Sequence, residues 1–207
     1  MIARNLLLAC AVASGAAPSL ASPPPWSVGT PPGQLERNTI VVRPGDSIQA
    51  AIDRAEPGTT IFVLAGVYRE DGNATNGLEI TRDGIRLVGQ TTPNKRVILE
   101  GVSDQRNGIV VVPGDRTDCM RCHSDLVPPF PLNPDIPRAR TRAPMMTGIE
   151  IRGITIRGFR NNGLFMENVD GFEIVDVESI DNPNYGIFPT KSRNGLVADS
   201  RASGSDD

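Results

Sequence analysis

The sequence predicts an all-β chain wound as a solenoid, most directly a parallel β-helix. Three observations carry this. First, a 23-residue register runs through the C-terminal third: Gly148-Ile-Glu-Ile recurs as Gly171-Phe-Glu-Ile and, more loosely, as Asn194-Gly-Leu-Val, while Asn161-Asn-Gly163 recurs as Asn184-Tyr-Gly186. Second, each period holds two short alternating apolar runs separated by Gly, Asn or other polar residues, the pattern of strands and turns. Third, a repeat this short cannot bury its own apolar face, so neighbouring repeats must stack. Ankyrin and tetratricopeptide repeats are longer and helical, and the Leu/Asn framework of leucine-rich repeats is absent. The composition agrees. With 21 Gly, 18 Pro and 4% aromatic residues, the chain suits many turns around aliphatic stacks.

Taken in order, residues 1–21 read as a signal peptide. Met1-Ile-Ala-Arg4 is a short basic start, Leu6 to Ala17 an apolar run too short to span a bilayer, and Ser19-Leu-Ala21 a small-residue cleavage site. The mature protein is therefore expected to be periplasmic or secreted and not membrane-spanning. Residues 22–38 form a Pro-rich linker. The one helix is expected near residues 46–55. Ile48, Ala51, Ile52 and Ala55 make an apolar stripe, with Asp46 or Ser47 as N-cap and Pro57-Gly58 as the stop. Lying before the strand Thr60-Ile-Phe-Val-Leu64, it is expected to cap the first coil and block edge pairing.

The β-helix is expected over residues 39–207, interrupted by a Pro-rich insertion at 113–147. Asn76-Gly-Leu-Glu-Ile80, Asn107-Gly-Ile-Val-Val111, Asn162-Gly-Leu-Phe-Met166 and Gly186-Ile-Phe-Pro189 read as one strand in four coils. Alternation turns Leu78, Ile109, Leu164 and Ile187 inward, with Ile80, Val111, Met166 and Pro189 beside them. Ile85, Leu87, Ile149, Ile151, Phe172 and Ile174 line a second wall. Gly and Asn at the corners suit the left-handed backbone of sharp turns. Gly204-Ser-Asp-Asp207 falls midway through a coil without a cap, so the stack is expected to be incomplete there and to continue beyond Asp207.

A resemblance follows from these residues. Gly45-Asp-Ser-Ile-Gln-Ala-Ala-Ile52, then Pro57-Gly-Thr-Thr-Ile-Phe-Val63 and Gly66-Val-Tyr68, resembles the opening segment of right-handed parallel β-helix proteins. That superfamily includes pectate lyases, mannuronan C5-epimerases and periplasmic accessory proteins of copper-enzyme assembly. Asn184-Tyr-Gly-Ile-Phe-Pro189 with Ser203-Gly-Ser-Asp-Asp207 is similar to a group of exported bacterial β-helix repeat proteins without assigned activity. The resemblance implies a right-handed coil and leaves activity open. Tyr185-Gly-Ile-Phe-Pro-Thr190 aligns with the Tyr-Gly-x-Asp-Pro-His segment of the epimerases. Phe188 stands where that family has Asp, and Thr190 where it has the catalytic His. Epimerisation needs paired groups that remove and return a proton, and neither Phe nor Thr can do so.

Outward alternation places Phe165 and Phe188 one coil apart, following Glu79 and Val110 in the same column. Two stacked rings would make an exposed apolar strip, a platform for a polysaccharide, unless a loop covers it. Tyr185, Lys191, Arg193, Asp206 and Asp207 lie close by in the register and join Phe165 and Phe188 as candidate substrate-binding residues. Asp176 and Asp199 share a column, so a stacked-acid Ca²⁺ site stands against plain turn residues. The insertion carries Cys119-Met-Arg-Cys122-His123, the attachment signature of c-type haem, with Met145 or Met146 as possible distal ligand. A Cys119–Cys122 disulfide fits an exported chain equally, and zinc would need a carboxylate such as Asp118 or Asp125. A formal charge of −3 offers no basic footprint, so no nucleic-acid partner is expected. Three functions remain open: polysaccharide binding with or without modification, a redox accessory with its own periplasmic partner, and a structural envelope module.

Overall fold

The structure, a computed structural model, describes residues 38–114 and 145–206. The segments expected as signal peptide and linker up to residue 37, most of the expected insertion with Cys119, Cys122 and His123, and Asp207 lie outside the described residues. The described chain is mostly β, with one helix.

Every named strand joins one of three parallel sheets, which the chain visits in rotation. The six-stranded sheet takes β1 (Thr39–Val42), β2 (Thr60–Val63), β5 (Arg86–Gly89), β8 (Met146–Arg152), β11 (Val169–Val175) and β14 (Arg193–Ala198). The five-stranded sheet takes β3 (Gly66–Tyr68), β6 (Val97–Glu100), β9 (Ile154–Arg157), β12 (Glu178–Ile180) and β15 (Arg201–Ser203). The four-stranded sheet takes β4 (Asn76–Ile80), β7 (Asn107–Val111), β10 (Leu164–Glu167) and β13 (Ile187–Thr190). Leu164 pairs with Ile187 and Ile151 with Ile174, the register read from the sequence.

The core is the stack of inward side chains. Leu78, Ile109 and Leu164 are fully buried, as are Ile80, Val111 and Met166, while Ile187 is half-buried. Ile85, Leu87, Ile149, Ile151, Phe172 and Ile174 line the second wall as expected. Val197, register mate of buried Ile174, is 48% exposed among the described residues.

Helix α1 (Ile48–Arg54) covers the other end. Ser47 is the N-cap, its hydroxyl accepting from the Ala50 N–H, and Glu70 accepts from both the Ser47 hydroxyl and the Ile48 N–H. Arg82 closes the C-terminus by donating to the carbonyls of Ile52, Asp53 and Ala55. The edge of β4 is blocked by one side chain. Gln49 accepts from the Glu79 N–H at 2.8 Å and donates to the Glu79 carbonyl at 3.2 Å, as a neighbouring strand would.

Two corner features correct the sequence reading. Left-handed backbone recurs in register at Gly153, Asp176 and Asp199, at Gly158, Asp181 and Gly204, and at Asn168 and Lys191. Gly and Asn hold most left-handed positions among the described residues, as expected, and acidic residues and a lysine join them in the same columns. Asn76, Asn107 and Asn162 instead build a buried ladder. Asn107 donates to the Asn76 side-chain oxygen at 2.8 Å, Asn162 to that of Asn107 at 2.8 Å, and Asn184 to that of Asn162 at 3.0 Å. The insertion boundary also shifts, because β8 starts at Met146. Met146 is 3% exposed and belongs to the core.

Candidate functional site

The outer face of the four-stranded sheet is where the structure gathers most of the candidate residues. Register runs Glu79–Val110–Phe165–Phe188 across it, so the outward column exists. The exposed strip does not. Val110 is fully buried and Phe165 is 4% exposed, and with Val112 they form a second small apolar cluster against which Phe188 packs. The Phe165 and Phe188 rings lie 5.9 Å apart, tilted by 52°. Alternation fixed the column but carried no information on burial, so Phe165 is withdrawn as a surface platform.

Tyr185 takes its place. Its ring stacks on Phe188 at 4.1 Å with planes 17° apart, and both residues are half-buried. The Tyr185 N–H donates to the Asn162 side chain at 3.3 Å, tying the aromatic pair to the end of the asparagine ladder. Asp206 reaches the corner before β13, where its N–H donates to the Pro183 carbonyl at 2.9 Å.

Lys191 sits at the corner after β13 with a left-handed backbone. Its ammonium donates to the carboxylate of buried Glu167 at 2.5 Å, while most of the side chain stays exposed. Arg193 lies around that corner on β14 and grips Asp170 through two guanidinium nitrogens at 2.9 and 2.6 Å. The hydrogen bonds and charge of Asp170 hold Arg193 protonated above its ordinary range. Lys191 and Arg193 therefore answer different carboxylates. The structure stacks Tyr185 on Phe188, sets Asp206 at the corner before β13 and Lys191 at the corner after it, and carries Arg193 on to β14.

Phe188 and Thr190 themselves carry no group that exchanges a proton near neutral pH. The Glu167 carboxylate, on the residue register-paired with Thr190, accepts from Lys191. The arrangement offers a ring face, a cation and hydrogen-bonding edges, which are means of holding a ligand. Asp176 and Asp199 are corner residues. Asp176 accepts from Arg96 at 2.9 Å, and among the described residues no group of three or more His, Cys, Asp or Glu is arranged to hold a metal ion.

A second concavity, about 580 Å³, lies beside α1 and is lined by Asp46, Asp53, Glu70, Glu79 and Arg69 among others. Most of its carboxylates already have structural work. Asp46 accepts from the Arg43 N–H, Asp53 from Gln49, Glu70 from the helix start, and Glu79 from Asn73 and Asn76. The Glu70 and Gln49 roles were missed in the sequence. A polar residue between apolar neighbours in the β4 region was the available signal for neither, because their partners lie 22 and 30 residues away. No helix among the described residues is long and apolar enough to cross a membrane. No protein-family model, curated protein or solved structure matches this chain.

Proposed function

We propose that this chain is an exported, right-handed parallel β-helix protein that binds polysaccharide on the outer face of β10 and β13. The rotation through three parallel sheets supports the β-helix reading, and the resemblance of the opening segment supplies its hand. The observation that carries the binding reading is the Tyr185–Phe188 ring stack, half-buried on this face, with the largely exposed Lys191 at the corner that ends the same strand. A ring face packs against the C–H face of a sugar, and a neighbouring cation favours an acidic glycan. Absence of a proton-carrying pair at Phe188 and Thr190 makes binding the better reading than epimerisation.

Affinity electrophoresis through gels containing polymannuronate, polygalacturonate or a neutral glucan tests this. Wild-type protein is expected to be retarded by at least one acidic glycan. Tyr185→Ala and Phe188→Ala should each weaken retention about tenfold, or about 1.4 kcal/mol. Retention by none of the glycans, or equal retention of the variants, overturns the proposal. Export also puts Cys119 and Cys122 in an oxidising compartment, where a disulfide or covalent haem with His123 is the expected fate. Intact mass with a pyridine haemochrome spectrum distinguishes the two, and freely alkylatable thiols would defeat both.

A further inference from the structure

Large apolar side chains that alternate outward on the other two sheets are only partly covered. Phe62 on β2, Val88 on β5 and Ile98 on β6 are half-buried. The two interior strands of the four-stranded sheet differ. On β7 and β10, Val110, Phe165 and Glu167 alternate outward, away from the core residues Ile109, Val111, Leu164 and Met166, and Val112 continues the alternation just past β7. Yet Val110, Val112, Phe165 and Glu167 are 0%, 2%, 4% and 5% exposed. Neighbouring strands do not account for this. Glu79 and Phe188, register mates of Val110 and Phe165 on the flanking strands β4 and β13, are half-buried. An outward side chain loses water completely only beneath a second layer. Among the described residues, Phe188 is the apolar side chain packed against this cluster. Phe165 and Glu167 are also engaged beyond their contacts with Phe188 and Lys191.

The chain supplies an occupant with the right starting point, length and chemistry. It leaves the sheet directly after Val112, the edge of the buried cluster, and returns at β8, so residues 115–144 begin beside this face. Within them the longest apolar run is Leu126-Val-Pro-Pro-Phe-Pro-Leu132. Its three prolines favour the polyproline II form, whose three residues per turn set Val127 and Phe130 on one side. The eleven residues 115–125 that lead to it can extend roughly 36 Å, against strands spaced about 4.8 Å apart. Reach is therefore ample. The chain before residue 38 has no such position, because it enters through β1 at the edge of a different sheet.

We infer that the outer face of β7 and β10 is a docking surface for the chain's own residues 126–132, with Phe130 seated against Phe165 and Val110. A proline-rich strand suits such a face, since its backbone is already fixed and little conformational freedom is lost on docking. The insertion then forms an outer apolar layer over the sheet. Because β7 and β10 lie between β4 and β13, the inference does not depend on what Tyr185 and Phe188 bind.

The full chain with the photoreactive residue p-benzoylphenylalanine in place of Phe130 tests this. Irradiation followed by trypsin should join the probe to residues 107–116, which hold Val110 and Val112, or to residues 161–191, which hold Phe165. The cross-linked protein should run as a monomer, and the same probe in place of Trp26 should give neither link. A double-mutant cycle of Phe130→Ala and Phe165→Ala in urea unfolding gives a second readout, with Phe165→Leu used where the alanine variant does not fold. The two changes should be non-additive by about fivefold in the unfolding equilibrium constant. A dimer-sized product would assign the face to a second copy and overturn the inference. So would the absence of both links, the same links from position 26, or strictly additive variants.

Discussion

Phe165 and Phe188 are register-paired on the neighbouring strands β10 and β13, yet one is buried and the other is half-buried against Tyr185. Alternation along a strand gives the face a side chain takes, not what lies over that face. That is why the column was legible and its accessible part was not. Other single residues were invisible for a related reason. Gln49 looks like any polar residue on a helix, and only the fold shows it completing the edge of β4. Replacing it with Ala should cost about 1–2 kcal/mol in denaturant unfolding, and Gln49→Glu should recover little, since a carboxylate cannot donate to the Glu79 carbonyl. Glu150 supplies a pH prediction. Burial raises its carboxyl pKa, but hydrogen bonds from Arg152 and Arg86 outweigh burial and leave it below the ordinary value of 4.5. A depressed carboxyl stabilises the fold above its unfolded pKa and loses that contribution as pH falls through the folded value. Urea titrations at descending pH should therefore show a shallower loss below about pH 4 for Glu150→Gln than for wild type. An unchanged slope would remove Glu150 from the acid response. At Phe188 and Thr190 the expected chemistry is its absence: polymannuronate incubated with the protein in deuterated water should gain no deuterium at C5 that depends on Thr190.

At the scale of elements, the 23-residue register was legible because it repeats both pattern and spacing. The same interval reappears in side-chain contacts: the Val169 N–H donates to the Ser192 hydroxyl and the Val177 N–H to the Ser200 hydroxyl, each 23 residues on. The helix was equally legible from its stripe and stop, although its cap resolved to Ser47 and its clamp to Arg82 only in three dimensions. Corner chemistry was harder to read, since Asp176, Asp181, Lys191 and Asp199 adopt conformations usually assigned to Gly or Asn. Asp199→Gly should therefore leave stability unchanged or raise it by up to about 1 kcal/mol, and Asp199→Val should lower it. The glycines of the ladder strands obey a different constraint. A Cβ on Gly163 would lie within 2.6 Å of the Gly186 carbonyl oxygen and closer still to the Ser179 hydroxyl. Gly163→Ala is expected to cost about 3 kcal/mol, measured by chemical denaturation, because backbone of the next coil cannot retreat without breaking its pairing.

Across the described residues, the chain from β2 onward adds strands to the three sheets in rotation, so an inner apolar stack and outer ion-pair runs extend along one direction. Arg86–Glu150–Arg152–Glu173 and Arg69–Glu100–Arg157 are such outer runs, in which charged side chains on neighbouring strands pair with one another. The face of β10 and β13 departs from that pattern by carrying aromatic rings in place of a charge ladder, and this departure singles it out. Saturation-transfer NMR with an acidic oligosaccharide tests the point most directly. Irradiating the aromatic protons should transfer saturation to sugar C–H groups, strongly for wild type and not for the Tyr185→Ala/Phe188→Ala double variant. Undiminished transfer in a folded double variant, or none in the wild type with any acidic oligosaccharide, would contradict the assignment of this face to polysaccharide.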